Sequence, residues 1–317
     1  MNILLIMPPF FQYHQKIKNT IQSKGHNVTL CKDSFAMSFS NRLKLKLFKN
    51  TSIKLFDKYF NEMINSINES KFDIVILIFG KNYTSKHINI LKDKYSNAKF
   101  VYYVWDSIVN FPNIIEFYSS FDRYISFDKK DCEKYGFEFL PLFYSDECFD
   151  VKEEYDYSSL MTVSKYKMKD FNMVMNCIPK ELIGNNYLYL KHKSSFVYNK
   201  IFHKNIYAGY KMNDFHYKPL TPEESTKLLA SAKAVIDIPM KNQNGLTIRT
   251  FEALHLNKKI ITTNENIKTY DFYCKENIFI INEEKKIPIE FFNSSFNKDF
   301  SLGEKYSINS FIDELLK

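Results

Sequence analysis

The chain has 317 residues, 45% of them hydrophobic and 25% charged, with a formal net charge of +8. That length exceeds most single cores and suits two domains of roughly 150 residues each, and the balance is that of a folded chain rather than a disordered one. The five cysteines, Cys31, Cys132, Cys148, Cys177 and Cys274, are odd in number, scattered and without a C-x-x-C pair, which argues against a disulfide framework or a zinc site.

A reducing cytoplasm is the expected setting. The opening "MNILLIMPPFF" lacks a basic n-region, its apolar run is short for a signal peptide, and no stretch reaches the ~18–20 apolar residues needed to cross a bilayer. The positive balance suits anionic partners: nucleotides, phospholipid headgroups or nucleic acid. Basic residues spread along the chain form no recognised nucleic-acid module, so no nucleic-acid partner is expected.

The N-terminal half alternates short apolar runs with amphipathic stretches. "NILLIM" (2–7), "HNVTLC" (26–31), "FDIVILIF" (72–79), "KFVYYVW" (99–105), "RYISF" (123–127) and "FEFLPLF" (137–143) read as strands. The runs at 72–79 and 99–105 are almost continuous hydrophobe, the pattern of parallel strands covered on both faces. Helices are predicted near 12–24, 40–68, 84–95, 110–118 and 128–135. Alternation of this kind predicts a parallel, doubly wound sheet.

A polar, acidic stretch ending "VKEEYDYS" reads as a linker over 146–158, between a first domain of 1–145 and a second domain of 159–305. In the second half, strands are predicted at 158–163, 186–192, 204–209, 214–219, 233–239, 258–264 and 277–281. Helices are predicted near 167–177, from Pro222 to about Ala232, and from Gly245 onward. Pro222 in a first turn followed by Glu223 and Glu224 is a good helix opening. A terminal amphipathic helix within 306–317 is placed to pack back on the first domain.

The chemistry concentrates in "NQNGLTIRTFEAL", residues 242–254. It follows "KAVIDIP", a buried-strand pattern, and ligands of open parallel sheets bind at the C-terminal strand ends. A helix starting at Gly245 would place Gly245, Arg249 and Glu252 within about 60° of arc, opposite Ile248, Phe251 and Leu254. Its free N–H groups at Gly245, Leu246 and Thr247 would face an anion, helped by the helix dipole. Gly245 admits close approach, Thr247 adds a hydroxyl donor, and Arg249 can fork onto phosphate oxygens. Glu252 could accept from ribose hydroxyls. The plainer alternative is a helix capped by Asn244 with Arg249 and Glu252 in solvent.

Other candidates carry the same two-sidedness. Asp106 follows a buried strand and Trp105, so it is either a general base for an acceptor hydroxyl or the cap of the next helix. His14, near the start of the first helix, is a second base candidate or a surface histidine. Lys165 and Lys167 follow the first strand of the second half, where they would neutralise diphosphate or simply be solvated. Residues 41–60 interleave Arg42, Lys44, Lys46, Lys49, Lys54 and Lys58 with Leu43, Leu45, Leu47, Phe48, Leu55 and Phe56. That pattern fits a helix lying on an anionic membrane or a core-facing helix with a basic edge. With neither D-x-D spacing nor a ligand cluster, no metal and no cofactor is expected.

"NGLTIRTFEALHLNKKIITTN" resembles the C-domain signature of GT-B-type glycosyltransferases, nearest to the CgeB-like and related capsule and lipopolysaccharide biosynthesis enzymes. "YYVWDSIVNFP" followed by "FDRYISFDKKDCEKYGFEFLPLFY" is similar to the N-domain and hinge approach of the same group. The resemblance spans residues 100–280. It implies two facing Rossmann-like domains with an interdomain cleft, a nucleotide-sugar donor on the second, and a glycan or lipid-linked acceptor on the first. By position, Gly245, Leu246 and Thr247 would line the donor diphosphate beside Arg249, and Glu252 would hold the ribose. Asn244 departs from the pattern, standing where many retaining relatives carry a carboxylate eight positions before Glu252. The first loop, "PPFF", is not glycine-rich. The implied activity is metal-independent sugar transfer in cell-surface polysaccharide biosynthesis; the alternatives are a nucleotide-sugar epimerase, a nucleic-acid binder or a silent scaffold.

Overall fold

The structure, a computed structural model, describes residues 1–34, 49–147, 149–281 and 286–317. Its residues fall into two compact units, Met1–Pro141 with Phe311–Lys317, and Leu142–Ser310. Each unit is built on one parallel sheet.

The first unit carries strands β1 (Asn2–Met7), β2 (Asn27–Lys32), β3 (Ile74–Ile78), β4 (Lys99–Val104), β5 (Arg123–Ser126) and β6 (Glu138–Phe139) in the order β2-β1-β3-β4-β5-β6. Helices α1 (Tyr13–Ser23), α2 (Lys49–Asn65), α3 (Ser85–Lys94) and α4 (Lys129–Tyr135) lie between them. Strands β3 and β4 are buried almost along their length, as their unbroken apolar runs require. Residues 311–317 belong to this unit: Phe311 packs its ring 5.1 Å from Tyr103, and Lys24 pairs with Asp313 at 2.7 Å.

Two expectations for this half are corrected. The helix expected at 110–118 is a series of 3-10 turns, because Pro112 interrupts any longer ladder. The strand expected at 137–143 shrinks to Glu138–Phe139, where Pro141 soon removes a backbone donor. Of the basic stretch 41–60, residues 41–48 lie outside the described residues. The rest falls within α2, whose Phe56 and Phe60 are in the core while Lys54 and Lys58 face solvent, so the apolar face of this part is already covered. Among the described residues no helix is long and apolar enough to cross a membrane.

The second unit holds β7 (Tyr155–Thr162), β8 (Gly184–Tyr189), β9 (Ala232–Asp237), β10 (Lys259–Thr262) and β11 (Ile278–Ile280) in the order β11-β10-β9-β7-β8. Its helices are α5 (Lys165–Cys177), α6 (Lys193–Phe202), α7 (Lys204–Tyr207), α8 (Pro222–Ala230), α9 (Ile248–His255) and α10 (Ile289–Asn293); α11 (Ile308–Leu315) closes the chain. Thr221 caps α8 in a capping box with Glu224, as the Pro-Glu-Glu opening predicts.

Here too the structure departs from the sequence reading. Residues 155–158 of the expected linker are the start of a central strand, laddered to β9 at Tyr155 and to both neighbours at Tyr157. Polar Asp156 is tolerated there because Lys233 pairs with it at 2.8 Å. The strand expected at 204–209 is the helical turn α7, with Tyr207 fully buried, and 214–219 contributes only an isolated bridge from His216 to Tyr189. Helix α6 was not anticipated.

Phe251 anchors α9 to this unit, with no exposure and its ring 5.5 Å from Tyr306 and 6.0 Å from Phe272. Truncating Phe251→Ala should cost about 3–5 kcal/mol in denaturant unfolding, the usual range for a lost core aromatic; a loss under about 1 kcal/mol would show that α9 is not held by its apolar face.

Candidate functional site

In each sheet the chain runs outward on one side of the first strand and then on the other. The reversal falls between β7 and β9 in the second sheet and between β1 and β3 in the first. Loops at the C-terminal ends of such strand pairs form the crevice where open α/β sheets take ligands. The loop 238–247 and the start of α5 flank the reversal of the second sheet. Lys241 reaches the Tyr166 ring at 4.5 Å, tying the two together.

The loop is built from its own polar side chains. Its left-handed residue is Asn242, with φ of 62°, whereas Gly245 does not adopt positive φ. Gly245 is buried, and its carbonyl accepts from Gln243 Nε2 at 3.0 Å and Asn264 Nδ2 at 3.3 Å. Asn264 also donates to the Asn244 carbonyl at 3.1 Å, and Asn266 Nδ2 lies 3.4 Å from Asn244 Oδ1. Leu246, 2% exposed, points into the core.

Helix α9 starts at Ile248, not at Gly245, with Thr247 as N-cap. The cause is Asp237, the last residue of β9, 7% exposed. Its carboxylate accepts from Thr247 Oγ1 at 2.9 and 2.8 Å and from Thr250 Oγ1 at 2.6 Å. The hydroxyl proton that the sequence offered to a phosphate therefore goes to Asp237. Thr250 N already donates to the Thr247 carbonyl at 3.1 Å, so the first-turn N–H groups left for an anion are those of Ile248 and Arg249 rather than those of residues 245–247.

Arg249 and Glu252 do share an edge of α9. Arg249 Nη1 donates to Glu252 Oε2 at 3.0 Å, with the two side chains 16% and 15% exposed. Arg249 Nε is buried and makes no hydrogen bond. A guanidinium has five donors, and leaving one buried and unmet costs on the order of 1–3 kcal/mol, so this edge is short of an acceptor. Lys165 is the exposed first residue of α5, whose cap Ser164 accepts from Lys167 N at 3.3 Å.

In the first unit, Asp106 Oδ1 accepts from Ser107 N at 2.8 Å and Asn110 Nδ2 at 3.2 Å, binding the carboxylate to the turn it precedes. His14 is half-buried in α1, with Nδ1 unpartnered, and burial followed by the Lys32 charge lowers its pKa. The sequence reading missed Asp33, just past β2. It is 3% exposed, one carboxylate oxygen has no partner, and burial raises its pKa to about 6, against hydrogen bonds from Ser34 and the Gly80 backbone. Left-handed backbone at Phe11, Gln12, Phe79 and Gly80 marks both loops of this crevice. Exposed Phe10 lies 6.0 Å from Phe79, which packs on Phe111 at 5.0 Å. Among the described residues no group of three or more His, Cys, Asp or Glu is placed to hold a metal ion.

No protein-family model matches the sequence, and no curated protein does. Solved structures do. The chain is similar to Anabaena Alr3699/HepE in complex with UDP-glucose, with a TM-score of 0.58 at 10% identity over 100% of this chain and 98% of that one. It is similar to sucrose-phosphate synthase from Thermosynechococcus elongatus, TM-score 0.55 at 10% identity over 100% and 94%. It is also similar to UDP-GlcNAc 2-epimerase from Methanocaldococcus jannaschii, TM-score 0.53 at 10% identity over 100% and 98%. At these identities the likeness shows the fold, an α/β chain with two parallel sheets of the GT-B type.

Asp33 offers a pH test of its crevice. Its folded pKa, about 6, lies above the ordinary 3.8, so the folded state holds the extra proton between those values and stability falls as pH rises through them. Asp33→Asn removes this contribution: denaturant unfolding from pH 4 to 7 should show the variant losing less stability than the parent over that window. Equal slopes would mean that Asp33 is as solvated folded as unfolded.

Proposed function

We propose that this chain is a glycosyltransferase that binds a nucleotide-diphosphate sugar on its second unit and transfers the sugar to a hydroxyl of a glycan or lipid-linked acceptor. The observation that carries the reading is the buried, unmet Nε of half-buried Arg249, on the first turn of a helix at the reversal point of a parallel sheet. A diphosphate supplies the missing acceptor and the charge that this helix end and Arg249 favour. In this reading Glu252 orients Arg249 and takes a ribose hydroxyl, Asn244, Gly245 and Leu246 bring loop backbone to the donor, and Thr247 holds the helix start. Lys165 adds charge from the adjacent helix.

The acceptor belongs to the first unit. His14 and Asp106 are the proton-accepting candidates there; the lowered pKa of His14 keeps its imidazole neutral and able to accept at pH 7. With leaving-group charge met by the helix end, Arg249 and lysine, the transfer is proposed to need no metal. Lys54 and Lys58 of α2 leave an electrostatic contact with an anionic membrane, and capsule or lipopolysaccharide assembly in the cytoplasm is the setting that such an acceptor suggests. Similarity in fold to a UDP-GlcNAc 2-epimerase as well as to HepE makes the acceptor the deciding reagent.

Thermal unfolding against UDP, GDP, dTDP, CDP and CMP should single out one nucleoside diphosphate that raises Tm. Arg249→Ala should weaken that nucleotide about 10- to 100-fold by calorimetry, and Glu252→Ala less. Parent-like affinity in both variants would remove the site. Turnover of the nucleotide sugar should require an acceptor and survive a chelator; turnover without acceptor would make the chain an epimerase.

A further inference from the structure

The opposite edge of the second sheet, where β9 and β10 begin, carries a cavity of about 360 Å³ whose lining includes Glu153, Lys233, Asn257, Lys259, Ser294 and Phe296. That volume lies within the range of small-molecule sites. Lys259 opens β10 and is 2% exposed. Its Nζ donates to the Phe291 carbonyl at 2.7 Å and to Ser294 Oγ at 2.6 Å, and lies 5.0 Å from the Phe291 ring centroid.

Those partners are all neutral. The other lysines of this edge are matched, Lys233 by Asp156 at 2.8 Å and Lys258 by Glu153 at 2.5 Å. Three ammonium groups thus face two carboxylates, and among the described residues none pairs with Lys259. An ammonium has three donors, of which Lys259 uses two. A buried cation without a counter-charge is expensive, and burial accordingly pulls the Lys259 pKa down.

We propose that this cavity is a second ligand site, taking a small phosphate-bearing molecule. Lys259 supplies the unmatched charge, Lys233 adds to the field, Ser294 and Asn257 offer hydrogen bonds, and Phe296 lies against the ligand's carbon skeleton. A tetrahedral oxyanion with several acceptors suits such a mixed set of ammonium, hydroxyl and amide groups. The site stands on its own observations, apart from the donor reading. Helix α9 nevertheless runs from the donor loop to His255, two residues before Asn257 at the cavity. Strand β10 runs from Lys259 toward Asn264, which holds the donor-loop carbonyls.

The probe is inorganic phosphate, raised to about 20 mM with ionic strength held constant by sodium chloride, with thermal unfolding of the intact chain as readout. The parent should show a saturable rise in Tm of about 2 °C or more. Lys259→Met keeps the stem and removes an unmatched buried charge, so it should fold and lose the saturable rise. The general stabilising effect of phosphate appears in both proteins and cancels. Ser294→Ala should raise the half-saturating phosphate about 3-fold or more, and Arg249→Ala should leave the rise intact.

No phosphate-specific rise in the parent, or an undiminished rise in Lys259→Met, overturns the proposal. So does a rise abolished by Arg249→Ala, which assigns the phosphate to the donor loop. If Lys259→Met fails to fold, an unchanged half-saturation in Ser294→Ala overturns it.

Discussion

The loop 238–247 depends on one buried carboxylate. Asp237 ends β9 in the crevice-forming position, and its two oxygens take the hydroxyls of Thr247 and Thr250. A carboxylate that leaves water must be met by strong donors, and hydroxyls held this closely fix their backbone as well. Thr247 thereby becomes the cap and Thr250 the inward residue of the first turn. With that turn fixed, 100° per residue leaves no freedom: Phe251 and Leu254 face the core, while Arg249 and Glu252 fall on the outer edge. The direction in which Arg249 points is a consequence of Asp237.

Both sheets present a C-terminal crevice at their reversal points, but the two are chemically different. That of the second unit is cationic and short of an acceptor: a buried guanidinium N–H without a partner, a helix N-terminus, and an exposed lysine on the adjacent helix. That of the first unit combines aromatic rings with left-handed backbone, a carboxyl of raised pKa and an imidazole of lowered pKa. In the proposed reading the first of these takes a diphosphate, and the other a polyhydroxylated acceptor with a proton to give. The chemical difference follows from which side chains each chain reversal carries, on frameworks of the same type.

Much of this was legible in the sequence where the physics is local. Continuous apolar runs at 72–79 and 99–105 mark buried parallel strands because both faces must be covered, and the Pro-Glu-Glu opening of α8 marks a cap. The order of strand and helix gave the fold class. Errors came where tertiary partners override local pattern. The Ile-Tyr-Ala run at 206–208 has a strand's composition, yet Tyr207 is buried from a helical turn. The acidic tail of the expected linker becomes a central strand because Lys233 neutralises Asp156. Gly245 looked like a helix start because glycine and a following polar edge suit one. The true signal was Asp237 in "VIDIP", an acid inside an apolar strand that must find donors nearby, with two threonines ten and thirteen residues on. Asp33 gave no such cue, since its burial is set by strands and loops distant in sequence.

The central claim is that the Arg249 edge of α9 is the seat of a diphosphate. It is tested most directly by a crystal structure of the protein with the nucleoside diphosphate that it binds. The account predicts phosphate oxygens within hydrogen-bond distance of Arg249 Nε and of the first-turn N–H groups of α9, with the Thr247–Asp237 and Thr250–Asp237 bonds kept. A nucleotide bound elsewhere, with Arg249 Nε still unmet, would contradict it.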